Sequence, residues 1–149
     1  MTTTGIATFD KTIRKTNEWV RDVMNELRVS DTETAYVALH ATLQALRDRL
    51  TIEEAAQLSA QLPMLIRGLY FEGWDPAGKP RKERRKEEFL ARVRAMFPTR
   101  RDLDPERVAR AVFAVLAKRV SAGEIADVLS ILPHELKDLW PVEALARSR

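Results

Sequence analysis

The feature that most constrains the fold is a pattern that occurs twice in the chain, in which position 51 aligns with position 121 and no gap is needed. The spacing of a capping box at Thr51 and Glu54 recurs at Ser121 and Glu124. In a capping box, two side chains satisfy free backbone N–H groups at the start of a helix. The other matched pairs are Leu62-Pro63 with Leu132-Pro133, Leu69-Tyr70 with Leu139-Trp140, Leu46 with Leu116, Arg49 with Arg119, and Trp19 with Phe89. Because helix starts, prolines and core positions recur in one order, we favour internal duplication of a four-helix unit over chance resemblance.

Helical start and stop signals predict an all-α chain without strands. The first predicted helix runs from about Phe9 to Leu27, and a capping box at Ser30 and Glu33 opens the second. The segment 73–80 contains two Gly and two Pro and is predicted to be a loop. A basic linker helix is predicted near residues 81–97. The expected architecture is two tandem four-helix repeats packed into one helical bundle, in residues 1–78 and 79–149.

Composition excludes several classes of site. The chain has no Cys and only two His, so disulfides, thiol nucleophiles and Cys-ligated metals are ruled out. Neither His40 nor His134 has a second ligand at metal-binding spacing, and no phosphate loop or nucleophile elbow is found. We therefore expect no metal, no cofactor and no catalytic residue, and the chain is not expected to be an enzyme.

The sequence also lacks a membrane signal. Its longest apolar runs fall far short of the roughly 20 residues that a membrane span needs. A signal peptide has a positively charged start followed by a long apolar stretch. The N-terminal segment Met1-Thr-Thr-Thr-Gly-Ile-Ala7 has no charged side chain and no long apolar stretch. No membrane insertion is expected, and the expected compartment is the cytoplasm.

Positive charge is concentrated in residues 79–101. That segment has ten Lys and Arg and three Glu, while the whole chain carries a net charge of only +3. Lysine and arginine that neutralise phosphates release counterions, which drives sequence-independent nucleic-acid binding. Lys82, Arg84 and Arg85 are the candidate contacts, with Arg81, Arg84 and Arg85 predicted on one helix face. The alternative, which we favour at this point, is a solvated linker helix whose charges are partly neutralised by its own glutamates.

Two aromatic residues next to the predicted loop are candidate anchors for a protein partner. Tyr70 lies in the fourth predicted helix, which begins at Pro63 and ends near Gly73, and Trp74 lies in the loop itself. Trp and Tyr are enriched at the centres of protein interfaces. The alternative for Trp74, which we favour, is that its ring fills a gap between the two repeats.

The segment Leu62-Pro-Met-Leu-Ile-Arg-Gly-Leu-Tyr-Phe-Glu-Gly-Trp-Asp-Pro-Ala-Gly-Lys-Pro80 resembles a bacterial family, domain of unknown function 2267. The resemblance extends upstream to Phe9-Asp-Lys-Thr12 and downstream to Asp104-Pro-Glu-Arg107. It implies an all-helical bacterial protein and implies no activity, cofactor or functional residue.

Two functions follow as hypotheses from these observations. The first is a non-catalytic helical scaffold that binds an unknown protein partner, with Tyr70 and Trp74 as contacts. The second is an electrostatic, sequence-independent nucleic-acid binder that uses residues 79–101. A small-molecule site between helices is a third and weaker hypothesis. Self-association into a homo-oligomer is a further expectation, because a stack of helices leaves an apolar edge that a second copy can cover.

Overall fold

A computed structural model describes residues 3–147, and over that range the chain is helical with no strand. The prediction of an all-α fold is confirmed. The helices of this range are, in chain order, α1 (Ala7–Leu27), α2 (Thr32–Arg47), α3 (Ile52–Ser59), α4 (Met64–Phe71), α5 (Lys86–Ala95), α6 (Pro105–Arg119), α7 (Ala122–Ile131), α8 (His134–Lys137) and α9 (Val142–Arg147).

Helices α2 and α6 form the centre of the molecule. They pack against each other, and both α1 and α5 pack against the pair. Helix α3 packs against α7, α4 against α1 and α2, α8 against α5, and α9 against α7. The buried side chains form one hydrophobic cluster that extends from Trp19 to Ala144. Each buried Leu or Phe in such a core stabilises the fold by roughly 1.5–3 kcal/mol.

The start of α2 differs from the prediction by one residue. Asp31, and not Ser30, is the N-cap, and its Oδ2 accepts hydrogen bonds from Thr34 N at 3.0 Å and Thr34 Oγ1 at 2.6 Å. The predicted capping box of Ser30 and Glu33 is therefore wrong. Serine and aspartate both cap helices well, but a charged carboxylate accepts the stronger hydrogen bond. The neighbouring Asp31 therefore takes the cap position.

The caps at Thr51 and Ser121 form as predicted, but only in part. Thr51 Oγ1 accepts from Glu54 N at 3.1 Å, and Ser121 Oγ accepts from Glu124 N at 3.3 Å. Neither glutamate side chain completes its capping box: Ser121 N donates to Gln61 Oε1 at 3.1 Å, and Glu54 forms no hydrogen bond with Thr51 N. Our interpretation of Glu54 as a capping side chain is therefore wrong.

The basic linker helix predicted near residues 81–97 is shorter than expected. Helix α5 begins at Lys86, and residues 81–85 form an irregular segment. Arg81 N donates to Asp48 O at the end of α2 at 2.9 Å, which draws this segment across to α2. Glu88 Oε1 accepts from Arg85 N at 3.2 Å and fixes the start of the helix. The prediction that Arg81, Arg84 and Arg85 line one helix face is therefore wrong.

Candidate anion-binding cleft

A cleft of about 730 Å³ lies where the irregular segment before α5 meets the end of α2 and the end of α7. We call it the basic cleft. Its lining residues are Arg49, Gly78, Lys79, Pro80, Arg81, Lys82, Arg84 and Ile131. Five of these eight are lysine or arginine, and no Asp or Glu of residues 3–147 lines the cleft. A concave surface of one charge sign concentrates counterions, so the basic cleft attracts anions.

The wall of the basic cleft is shaped by the loop that precedes it. Asp75 Oδ1 accepts from Ala77 N at 3.0 Å, which forms a turn within the loop predicted at 73–80. Gly78 follows with a φ of +73°, a left-handed conformation that glycine adopts without a steric penalty. The hydrogen bond from Arg81 N to Asp48 O then ties the wall to α2. The cations of this segment are thus held beside Arg49.

Glu83 is the acidic residue within this basic segment, and its side chain is largely buried beside α5. Arg92 Nε donates to both Glu83 carboxylate oxygens, at 2.9 and 3.1 Å, and Arg81 Nε lies 3.8 Å from Glu83 Oε1. The charge of Glu83 is therefore matched by Arg92 and Arg81. The charges of Lys79, Lys82 and Arg84 remain available to solvent, since no carboxylate of the described residues lies within ion-pair distance of them.

Arg49 lies against the basic cleft and is almost completely buried. Its relative exposure is 6%, and its Nε is buried without a hydrogen-bond partner. Burial lowers the pKa of the Arg49 guanidinium; the charge of Glu83 opposes that shift and the charge of Arg84 adds to it. Arginine remains protonated in proteins despite such shifts. The site therefore contains a buried positive charge that faces a cationic cleft.

The structure brings together only some of the residues predicted to bind a partner. Lys82 and Arg84 line the basic cleft with Arg49, whereas Arg85 is not among the lining residues. The Arg85 guanidinium instead lies 3.1 Å from Glu87 Oε1, at the start of α5. Sequence reasoning did not select Arg49 as a site residue. The signal in the sequence that could have identified Arg49 is its place in the repeated pattern, where it is equivalent to Arg119.

The two aromatic candidates lie inside the fold rather than on an open surface. Tyr70 is fully buried, and its hydroxyl donates to Ala55 O at 3.0 Å. Burial raises the pKa of the Tyr70 phenol, so the hydroxyl stays protonated. Trp74 is half-buried against the core, with its ring centroid 5.2 Å from that of Phe71. In this conformation the Tyr70 ring is not accessible to a partner, and Trp74 presents only part of its surface.

A model of the family DUF2267, described as an uncharacterized conserved protein, matches residues 16–139 and hence most of the chain. The chain belongs to the DUF2267 family. The resemblance inferred from the sequence is confirmed. No curated protein matches the sequence. Because the family description states no activity, the roles of residues in this DUF2267 protein must be argued from their geometry.

A second cluster of charge in this DUF2267 protein lies between α3 and α7. Glu54 and Glu124, which occupy equivalent positions in the repeated pattern, are both buried, and the Oε2 atom of each has no hydrogen-bond partner. Burial raises the pKa of the Glu124 carboxyl to about 8, and the neighbouring Glu54 carboxyl contributes to the rise. A protonated Glu124 can donate to Glu54, and both oxygens are then satisfied. Two carboxyl groups that share one proton are stable only while that proton is present.

An apolar groove of about 420 Å³ lies between α1, α2 and α4 of the DUF2267 fold. Its lining residues are Thr16, Val20, Tyr36, Leu39, Leu65, Ile66, Gly68, Leu69 and Glu72. Tyr36 and Leu65 are 46% and 55% exposed, which is high for large hydrophobic side chains. Tyr36 lies at the exposed edge of α2. The groove is thus an apolar surface of the kind found at protein interfaces.

Over residues 3–147, no group of three or more His, Asp or Glu side chains is placed to hold a metal ion. His40 Nε2 lies 4.0 Å from Glu72 Oε1, and His134 is exposed at the start of α8. Within the same range, none of the helices combines the length and the apolar character that crossing a membrane requires.

Proposed function

We propose that this DUF2267 protein is a non-catalytic binding module whose basic cleft holds the phosphate backbone of nucleic acid without reading its sequence. The observation that supports this function is the lining of the cleft, with five cations and no carboxylate among the described residues. Neutralising several phosphates together releases several counterions, which makes such binding favourable and strongly dependent on salt.

The arrangement favours backbone contacts over base recognition. No aromatic ring of the described residues lines the basic cleft, so it offers no stacking platform for bases. Its polar side chains are lysine and arginine, which in this setting act as charges for phosphates. The proposed ligand is therefore recognised by its charge, and affinity for it should vary little with base sequence.

The test is fluorescence anisotropy of labelled single-stranded DNA and RNA of several sequences. We expect micromolar binding at ~50 mM salt that weakens steeply by ~200 mM. The triple variant Lys79→Gln, Lys82→Gln, Arg84→Gln should lose most of this affinity uniformly across sequences.

The matched control removes the same charge elsewhere. Lys11, Arg14 and Arg21 belong to α1 and do not line the basic cleft. The triple variant Lys11→Gln, Arg14→Gln, Arg21→Gln should therefore bind almost as the wild type does. Equal loss in both triple variants would show that net charge, and not the cleft, drives binding. No binding by the wild type at the lower salt would contradict the proposal.

A second candidate function is a scaffold that binds a protein partner through the apolar groove. The exposure of Tyr36 and Leu65 within one groove favours it. An amphipathic helix of a partner places apolar residues at spacings of three and four into such a groove. Binding of this kind should persist at ~200 mM salt, fail in Leu65→Glu and survive in the triple cleft variant. Loss of partner binding in the cleft variant alone would contradict a role for the groove.

We further propose that residues 1–78 and 79–149 are two tandem repeats of a four-helix unit. The caps at Thr51 and Ser121, which are equivalent positions in the repeated pattern, support this. The packing supports it too, since α1 packs against α6 while α5 packs against α2. Each half thus packs its first helix on the second helix of the other half, so we expect neither to fold alone. Separately expressed halves that each give a folded helical spectrum would contradict this interdependence. We also propose that the protein is located in the bacterial cytoplasm.

A further inference from the structure

Arg49 is the strongest unexplained feature of the molecule. Its guanidinium forms no hydrogen bond and no ion pair with any residue in the described range, although the residue is only 6% exposed. Removing a charge from water without a partner is unfavourable. Glu83 is close enough to influence the Arg49 guanidinium, but its carboxylate is bonded to Arg92. The arrangement therefore leaves a place for an anion beside Arg49.

Arg119 provides an internal comparison for Arg49, since it occupies the equivalent position in the second half of the repeated pattern. Arg119 Nε donates to Asp22 Oδ2 at 2.7 Å, and its Nη1 donates to Glu18 Oε1 at 3.1 Å. Both carboxylates belong to α1, which packs against α6. Arg119 thus has carboxylate partners of the kind that Arg49 lacks.

The corresponding positions in α5 explain why Arg49 is unpaired. The residue that aligns with Asp22 in the second half is Arg92, so a cation replaces the carboxylate. The residue that aligns with Glu18 is still a glutamate, but Glu88 Oε1 accepts from Arg85 N at 3.2 Å. Since α5 packs against α2, these differences place the uncompensated charge of Arg49 at the basic cleft.

We propose that Arg49 anchors a site for a single phosphate group within the basic cleft, with Lys82 and Arg84 as supporting charges. The inference rests on the proposed polyanion-binding function and deepens it. Arginine presents a planar set of donors that matches two oxygens of a phosphate, whereas lysine acts as a point charge. A phosphate group also carries more negative charge than one carboxylate, so it balances the several cations of the basic cleft better. The phosphate belongs either to inorganic phosphate or to a flexible nucleic-acid strand, whose backbone can enter the cleft.

The experiment is an NMR titration of the intact protein with inorganic phosphate, at constant ionic strength set with chloride. The Nε–H signals of Arg49 and Arg119 are assigned by triple-resonance methods, so no variant is needed to interpret them. We expect a saturable shift of the Arg49 signal with a dissociation constant on the order of 1 mM. The Arg119 signal should not move, because its guanidinium is already paired with Asp22 and Glu18.

A conservative variant tests the geometry of the anchor. Arg49→Lys keeps the charge and removes the planar donors, so the dissociation constant for phosphate should rise about tenfold or more. This is read from the backbone amides of residues 81–84. Arg119→Lys is the matched control and should leave that constant unchanged. If Arg49→Lys does not fold, the wild-type titration alone decides the matter.

The outcomes separate this inference from the function on which it rests. Absence of a saturable shift at Arg49, or equal shifts at Arg49 and Arg119, would overturn the phosphate site. A shift with inorganic phosphate, but no binding of labelled single-stranded DNA, would support the site while contradicting the proposed nucleic-acid function. A single-stranded oligonucleotide that produces the same Arg49 shift would support both and identify the strand as the source of the phosphate.

Discussion

Glu124 is the residue whose protonation should govern how stability changes with pH. Its ordinary carboxyl pKa of 4.5 is raised to about 8 by burial and by Glu54. Below the ordinary value, the carboxyl is protonated in the folded and unfolded states alike. As the pH rises toward 8, the unfolded state loses this proton first, so the free energy of unfolding falls. Above the folded-state pKa both states are ionised and the decline stops.

We therefore predict that stability decreases between about pH 5 and pH 8, by at most about 1.4 kcal/mol per pH unit. Glu124→Gln keeps a hydrogen-bond donor for Glu54 and cannot ionise, so this decline should disappear. Urea unfolding at several pH values measures the effect. Glu53→Gln, at an exposed position of α3, is the control and should retain the wild-type slope. A wild-type slope in Glu124→Gln would show that another group is responsible.

Tyr70 gives a second prediction for a single residue. Its buried hydroxyl donates to Ala55 O at 3.0 Å, so Tyr70→Phe removes this hydrogen bond between α4 and α3. The expected loss of stability is about 1–2 kcal/mol, measured by urea unfolding. Tyr36→Phe, at an exposed ring, should change stability by less than about 0.5 kcal/mol. Equal effects in the two variants would contradict the role assigned to the Tyr70 hydroxyl.

The sequence did not reveal the chemistry of these residues, for a physical reason. A capping spacing fixes where the backbone of Glu54 lies, but not that its carboxylate faces a second glutamate across α3 and α7. Similarly, the match of Arg49 to Arg119 placed both residues at equivalent points of a pattern. Whether each guanidinium has a carboxylate depends on residues of another helix, such as Asp22 and Arg92, and those contacts exist only in the folded chain.

At the scale of elements, local signals predicted the helix starts well. Thr51 and Ser121 are the N-caps of α3 and α7, as the sequence indicated. The start of α5 was predicted several residues too early, because local propensity favoured a helix throughout residues 81–97. Contacts distant in sequence decided otherwise: Arg81 N bonds Asp48 O, and Lys86 N donates to Glu135 Oε1 at 3.0 Å.

The cap of α2 can be tested with neighbouring variants. Asp31→Ala removes the acceptor of Thr34 N and should destabilise the protein by about 0.5–2 kcal/mol. Ser30→Ala should have almost no effect, because the structure gives Ser30 no capping role. Thermal unfolding of the two variants measures the difference. A larger loss of stability in Ser30→Ala than in Asp31→Ala would contradict this assignment and support the capping box predicted at Ser30 and Glu33.

For the whole molecule, the single hydrophobic cluster predicts one cooperative unfolding transition. Buried residues of both halves contact one another, and α1 and α5 each pack on α2 and α6. Circular dichroism and tryptophan fluorescence should therefore report the same denaturation midpoint. Two separate midpoints would mean that the halves unfold independently and would contradict the proposed interdependence.

The most direct test of the central claim is the salt dependence of single-stranded DNA binding by the wild type and by the Lys79→Gln, Lys82→Gln, Arg84→Gln variant. If these residues contact phosphates, a plot of log affinity against log salt concentration should become shallower by about 2 in the variant, or roughly 0.7 for each lost contact. The α1 control variant should keep the wild-type slope. Identical slopes for the wild type and the cleft variant would contradict the claim that the basic cleft binds the phosphate backbone.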